Sequence, residues 1–176
     1  MALPRRSVLV PACWLAALLA AVARPASPEV AGDISATVVA TRGAVPQSQV
    51  VPGIETALLA LLNETRRQHH LAPLIMNDSL RSIARRHSQE MALAGYIGHG
   101  SVGGESFVER LSRVVPAGML VGENVTSART TEQAHVHFLA SPGHLRNMVH
   151  PAFHSVGIGV ATAGAAGFIV TEDFAE

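Results

Sequence analysis

Nine histidines are the residues in this chain with the most obvious chemistry to offer, as metal ligands or as proton carriers near neutral pH. Their spacing decides how much of it is local. His69 and His70 close an apolar-periodic segment, where a solvated helix end accounts for them. His135 and His137 are two apart, about 200° around a helix, so they cannot chelate together there. His150 and His154 are four apart, but Pro151 argues against a shared helix. His87 falls on an apolar stripe and reads as a satisfied interior or boundary residue. No pair has the spacing of a strong zinc motif. The chain has no GxSxG, no HExxH and one cysteine, Cys13, so the common hydrolase signatures and a disulfide framework are both absent. Residues 98–103, GHGSVG, match GxGxxG, with Glu123 at a suitable distance. The segment before them is helical rather than a strand, so a Gly-rich loop is expected and not a dinucleotide site. Asn63, Asn77 and Asn124 open sequons, which matter only in a eukaryotic secretory pathway.

These residues must be positioned by elements that the sequence also marks. Ile54, Leu58, Leu61, Leu62 and Thr65 recur at helical spacing over 54–69, and Ala72-Pro73 ends that helix. Asn77, Asp78 and Ser79 supply cap chemistry for a second helix, with Leu80, Ile83, Ala84, His87 and Met91 on one stripe and Gly95 as its stop. Glu105 to Val114 reads as a short helix. Thr130 or Thr131 caps a fourth over 131–140, closed by Ser141-Pro142-Gly143, and 144–149 forms a further turn. Val156, Ile158 and Val160 alternate with glycines, and 168–172 alternate again after a Gly/Ala loop, which predicts an antiparallel hairpin. Val121 to Thr126 is an additional strand. Helices first and strands late give an α+β class.

The N-terminus has another purpose. Arg5 and Arg6 precede a charge-free run from Ser7 to Ala23 that ends in Ala21-Val22-Ala23, the pattern of a secretory signal over 1–23, with an uncleaved signal anchor as the alternative that the run's shortness and Pro11 disfavour. Residues 24–52, punctuated by Pro25, Pro28, Pro46 and Pro52, read as a flexible leader or tether. Residues 53–176 remain as one domain, large enough for a core without crosslinks. Thirteen basic residues, all Arg, against thirteen acidic ones leave no cationic excess for a phosphate backbone, so nucleic acid is excluded as a partner. A membrane is met only through the signal segment before cleavage.

An ordered set of motifs carries a resemblance. Asn63-Glu64-Thr65-Arg66 and Leu71-Ala72-Pro73-Leu74 come first, then Leu80, Ala84, His87, Ser88 and Met91. His99, Gly122-Glu123-Asn124, Ser141-Pro142-Gly143-His144-Leu145-Arg146-Asn147, Val156-Gly157-Ile158-Gly159-Val160 and Asp173-Phe174-Ala175 follow. Over 54–175 the chain resembles the CAP superfamily (cysteine-rich secretory proteins, antigen 5 and pathogenesis-related proteins) in its short bacterial form. The resemblance implies an α-β-α sandwich, a small antiparallel sheet flanked by helices. It also implies a cleft where His99, Glu123 and His144 meet, with Asn63, Arg66, Asn124, Ser141 and Asn147 in support. The acid that many eukaryotic members place after a helix-four Trp falls near Ser141, and the Trp itself is Phe138.

Two imidazoles and a carboxylate are a competent ligand set for Zn²⁺ with one position open, so Zn²⁺ is the candidate cofactor and His99, Glu123 and His144 its candidate ligands. The same three groups also suit a buried hydrogen-bond network without a metal. The resulting expectation is a secreted, non-catalytic binding module for an extracellular lipid, glycan or peptide, located outside the cell or in its envelope. A metal-dependent hydrolase and a structural envelope component are the alternatives.

Overall fold

The computed structural model describes residues 49–176. The expected signal, 1–23, and the leader up to residue 48 lie outside the described residues. Among the described residues no helix is long and apolar enough to cross a membrane.

Among the described residues five α-helices and four strands follow one another. Helix α1 covers Pro52–Gln68 and α2 Asp78–Ala94, separated by the two-residue strand β1, Ile75–Met76. The short α3, Phe107–Leu111, leads to β2, Val121–Ala128. Helices α4, Thr131–Ala140, and α5, Pro142–Met148, precede the hairpin of β3, Ser155–Thr162, and β4, Phe168–Ala175. The sheet order is β1-β3-β4-β2. Three strands are antiparallel, while β1 runs parallel to β3. The all-antiparallel expectation is therefore corrected at one edge. Two residues carry no alternation that could have revealed β1.

Two apolar layers enclose the sheet. On one face Leu58 and Leu62 of α1, Phe138 of α4 and Met148 of α5 pack on Val156, Ile158, Val170 and Phe174. On the other, Leu80 and Ile83 of α2 meet Leu111 of α3 and Ala175. This is the α-β-α sandwich. Strand β4 is buried along its whole length, with a helical layer on each side.

Helix α2 lies almost in contact with the backbone of β3. A methyl group added at Gly159 would fall 2.1 Å from Arg85 N, and one at Gly157 2.2 Å from Leu80 C. The alternating glycines of β3 therefore admit the helix. Ser88 Oγ lies 2.9 Å from both Gly159 O and Thr171 Oγ1 and fixes its register.

The stripe and stop of α2 are as the sequence indicates. Leu80, Ile83, Ala84, His87 and Met91 are all buried, Asn77 Oδ1 accepts from the Ser79 and Leu80 amides, and Gly95 ends the helix at φ 71°. Helix α5 begins earlier than the expected 144–149. Ser141 is its cap and Pro142 its first residue, so Ser-Pro-Gly starts a helix as well as ending one. Helix α3 is shorter than 105–114 because Ser106 and Glu109 form a capping box at its start. Val50 and Val51, counted with the leader, pair with the edge of β3 at Ala161 and Val160.

Candidate functional site

The support residues set the frame of the site. Asn63 on α1 clamps the Leu74 backbone, donating to its carbonyl at 3.0 Å and accepting from its amide at 2.8 Å. Arg66 is 1% exposed and meets no carboxylate. Its guanidinium instead donates to the carbonyls of Ala72, Met148, His150 and Phe153, tying α1 to the segment after α5.

Glu123, on β2, is fully buried at its side chain and accepts from two neighbours. His99 Nδ1, on the loop after α2, donates to Oε1 at 2.8 Å. Arg110 on α3, itself buried, donates to Oε2 and also reaches the His99 carbonyl at 3.3 Å. His87 Nε2 donates to Gly98 O at 2.8 Å and lies 3.9 Å from Glu123 Oε2. His87 is thus the interior residue that its place on the stripe suggests, bonded through Nε2 while its buried Nδ1 has no hydrogen-bond partner, and it also backs the cluster.

Strand register adds an acid that sequence reading missed. Asp173 on β4 pairs with Glu123 on β2, so the two carboxyls share one face of the sheet. Neither Asp173 oxygen has a hydrogen-bond partner. Burial first, and the neighbouring Glu123 second, push its carboxyl well above the ordinary range, with Arg110 opposing. As a protonated acid Asp173 can donate towards Glu123.

His144 is set by a relay of amides. Its backbone N–H caps onto Ser141 Oγ at 3.5 Å. Asn124 Nδ2 donates to the His144 carbonyl at 3.2 Å and to Glu172 Oε2 at 3.1 Å. Asn147 Nδ2 donates to Asn124 Oδ1 at 2.9 Å and to the Glu123 carbonyl at 3.2 Å. The side chain of Asn124, the third sequon asparagine, is therefore used inside the fold. The His144 ring meets the buried Phe138 edge to face at 5.4 Å.

His99, Glu123 and His144 do line one cleft, of about 390 Å³, together with Ser141, Arg146 and Asn147. Its two imidazoles differ. The bond to Glu123 holds His99 above its usual value, against burial. Burial, followed by the nearby His99, holds His144 below its usual value. A metal drawing on all three residues does not fit. Each Glu123 oxygen already accepts a donor, an imidazole N–H on one and the Arg110 guanidinium on the other, so a cation on this carboxylate would sit beside a buried positive charge. Among the described residues no group of three or more His, Cys, Asp or Glu is arranged to hold a metal ion. The two imidazoles that remain are a sparse ligand set. Arg110 and Glu172 carried no local signal, and Asp173, though part of the terminal motif, had nothing local to assign it to the site: each joins it only through tertiary packing or strand pairing. A separate apolar cavity of about 420 Å³, lined by Met91, Tyr96, Ile97 and Ile169 among others, shares no residue with the cleft.

Comparison with known proteins places this geometry in a family. Residues 59–174 match the CAP, or cysteine-rich secretory protein, family. The protein YkwD of Bacillus subtilis is 28% identical over 116 residues, 65% of this chain and 45% of that protein. An extracellular SCP-domain protein of Bacillus anthracis is similar in structure, with a TM-score of 0.62 and 28% identity over 71% of this chain and 41% of its own. An outer surface protein of Borrelia burgdorferi shares the fold at a TM-score of 0.66 and 17% identity, covering 73% of this chain and 98% of its own. The chain spans less than half the length of the two Bacillus relatives. With the match covering most of its length, the chain belongs to the CAP family of cysteine-rich secretory proteins.

Proposed function

We propose that this chain is a secreted, non-catalytic binding module whose His99–His144 cleft receives an extracellular ligand. The state of Glu123 carries the reading. It is the cleft's one carboxylate, and His99 and Arg110 occupy both its oxygens, which leaves it unsuited to activating a water. Ser141 Oγ faces the backbone amide of His144 rather than an imidazole, so the cleft also lacks a paired nucleophile and base. Placement outside the cell or in its envelope is supported by the signal pattern of residues 1–23 and by relatives described as extracellular or outer-surface proteins.

The test sets binding against turnover. The purified protein is assayed on ester and peptide substrates with and without Zn²⁺, and screened against lipid, glycan and peptide ligands. No turnover above the blank is expected, together with a bound species that is lost in the His99→Ala, His144→Ala double variant. Zn²⁺-dependent hydrolysis that the same double variant abolishes would replace this reading with the hydrolase.

A further inference from the structure

We propose that the cleft takes an oxyanion, a carboxylate or phosphate group of its ligand, held by Arg146 with the imidazoles of His99 and His144. The inference rests on the binding reading above and names the chemical class that the cleft selects.

The charge inventory of the cleft carries it. Glu123 is the one acid among the lining residues, and its charge is already matched by buried Arg110. Arg146 also lines the cleft, is exposed, and makes no ion pair with a described residue. Arg67, Arg81, Arg85, Arg110 and Arg113 have carboxylate partners, and Arg86 and Arg129, which like Arg146 have none among the described residues, lie outside the cleft. Arginine keeps its charge at every accessible pH, and its planar fork suits a two-oxygen acceptor. Asn147 contributes no donor, because both its amide hydrogens are spent on Glu123 O and Asn124 Oδ1. Side-chain donors for a ligand therefore come from Arg146, the Ser141 hydroxyl and His144, and from His99 Nε2 when that ring is protonated, since His99 Nδ1 is spent on Glu123.

A cation entering this space would meet an uncompensated guanidinium, whereas an anion would complete the pairing. The volume, about 390 Å³, lies at the small end of ligand sites, which suits a charged group or headgroup rather than a whole lipid chain. The cleft thus differs in kind from the apolar cavity beside Tyr96 and Ile97, which has no charged lining residue.

Backbone NMR of the purified protein, titrated with sodium phosphate and separately with sodium acetate at ionic strength held constant with chloride, tests this. Saturable shifts are expected at His99, His144 and Arg146, and the stronger arm tells phosphate from carboxylate. Arg146→Gln, an exposed substitution, should weaken binding by roughly tenfold or more. Arg86→Gln, an exposed arginine outside the cleft, should leave it unchanged. Shifts that chloride reproduces, or that survive Arg146→Gln, overturn the proposal. If neither anion binds while a neutral glycan still does, and the His99→Ala, His144→Ala double variant loses it, the oxyanion is wrong and the binding reading stands. Zn²⁺-dependent turnover would remove both.

Discussion

Removing the Glu123 carboxylate would strand the buried guanidinium of Arg110 and leave His99 Nδ1 without its acceptor. An unmatched buried charge is costly, so Glu123→Ala is expected to lose about 3–5 kcal/mol of stability. Glu123→Gln, which keeps an oxygen for Arg110, should lose clearly less. Urea denaturation checks both, and an Ala variant with the parent's midpoint would mean that the cluster contributes nothing. The family resemblance was enough to name His99, Glu123 and His144, because Glu123 and His144 sit in recognisable strings of neighbours and His99 falls between such motifs in the expected order. Arg110, Asp173 and Glu172 were hidden for a physical reason. Asp173 meets Glu123 only through the β2–β4 register, across fifty positions of chain. Glu172 reaches the His144 loop only through the Asn124 amide.

At the scale of elements, the close approach of α2 to β3 is the most demanding contact. Gly159→Ala would drive a methyl into the α2 backbone, where no side chain can move aside. The expected loss is about 3 kcal/mol or more, read as a lower melting temperature, and an unchanged one would show that helix and strand are further apart. Helix α1 was legible from its apolar stripe and its Ala-Pro stop, α2 from stripe, cap and stop together, and α4 from its cap and its stop. The hairpin was legible from alternation. Strand β1 was not, since its two residues are strand only by virtue of pairing with Ser155 and Val156. Ser141-Pro142-Gly143 was read as a terminator, and its second role as the start of α5 is what brings His144 to the cleft.

For the molecule as a whole, buried titrating groups shape the response to pH. Burial pushes Glu172 from 4.5 up to about 7, against its Asn124 bond. Between those values the folded chain keeps a proton that the unfolded chain has released, so stability falls as pH rises through this window and then levels. The difference amounts to about 3 kcal/mol at most. Asp173 and His99, both raised, act with the same sign. His135 and His144, lowered by burial, act oppositely and cost stability as pH falls below about 6.5. Glu172→Gln should therefore flatten the loss between about pH 5 and pH 8, measured by thermal denaturation across that range; an unchanged slope would place Glu172 in contact with water. The central claim, that Glu123 serves the fold of the cleft and is no metal ligand, is most directly tested by anomalous diffraction at the zinc edge from crystals of the purified protein grown with Zn²⁺. The account predicts both Glu123 oxygens still on His99 and Arg110, with no zinc within about 2.2 Å of either. A zinc held jointly by His99, His144 and a Glu123 oxygen, with Arg110 displaced, would contradict it.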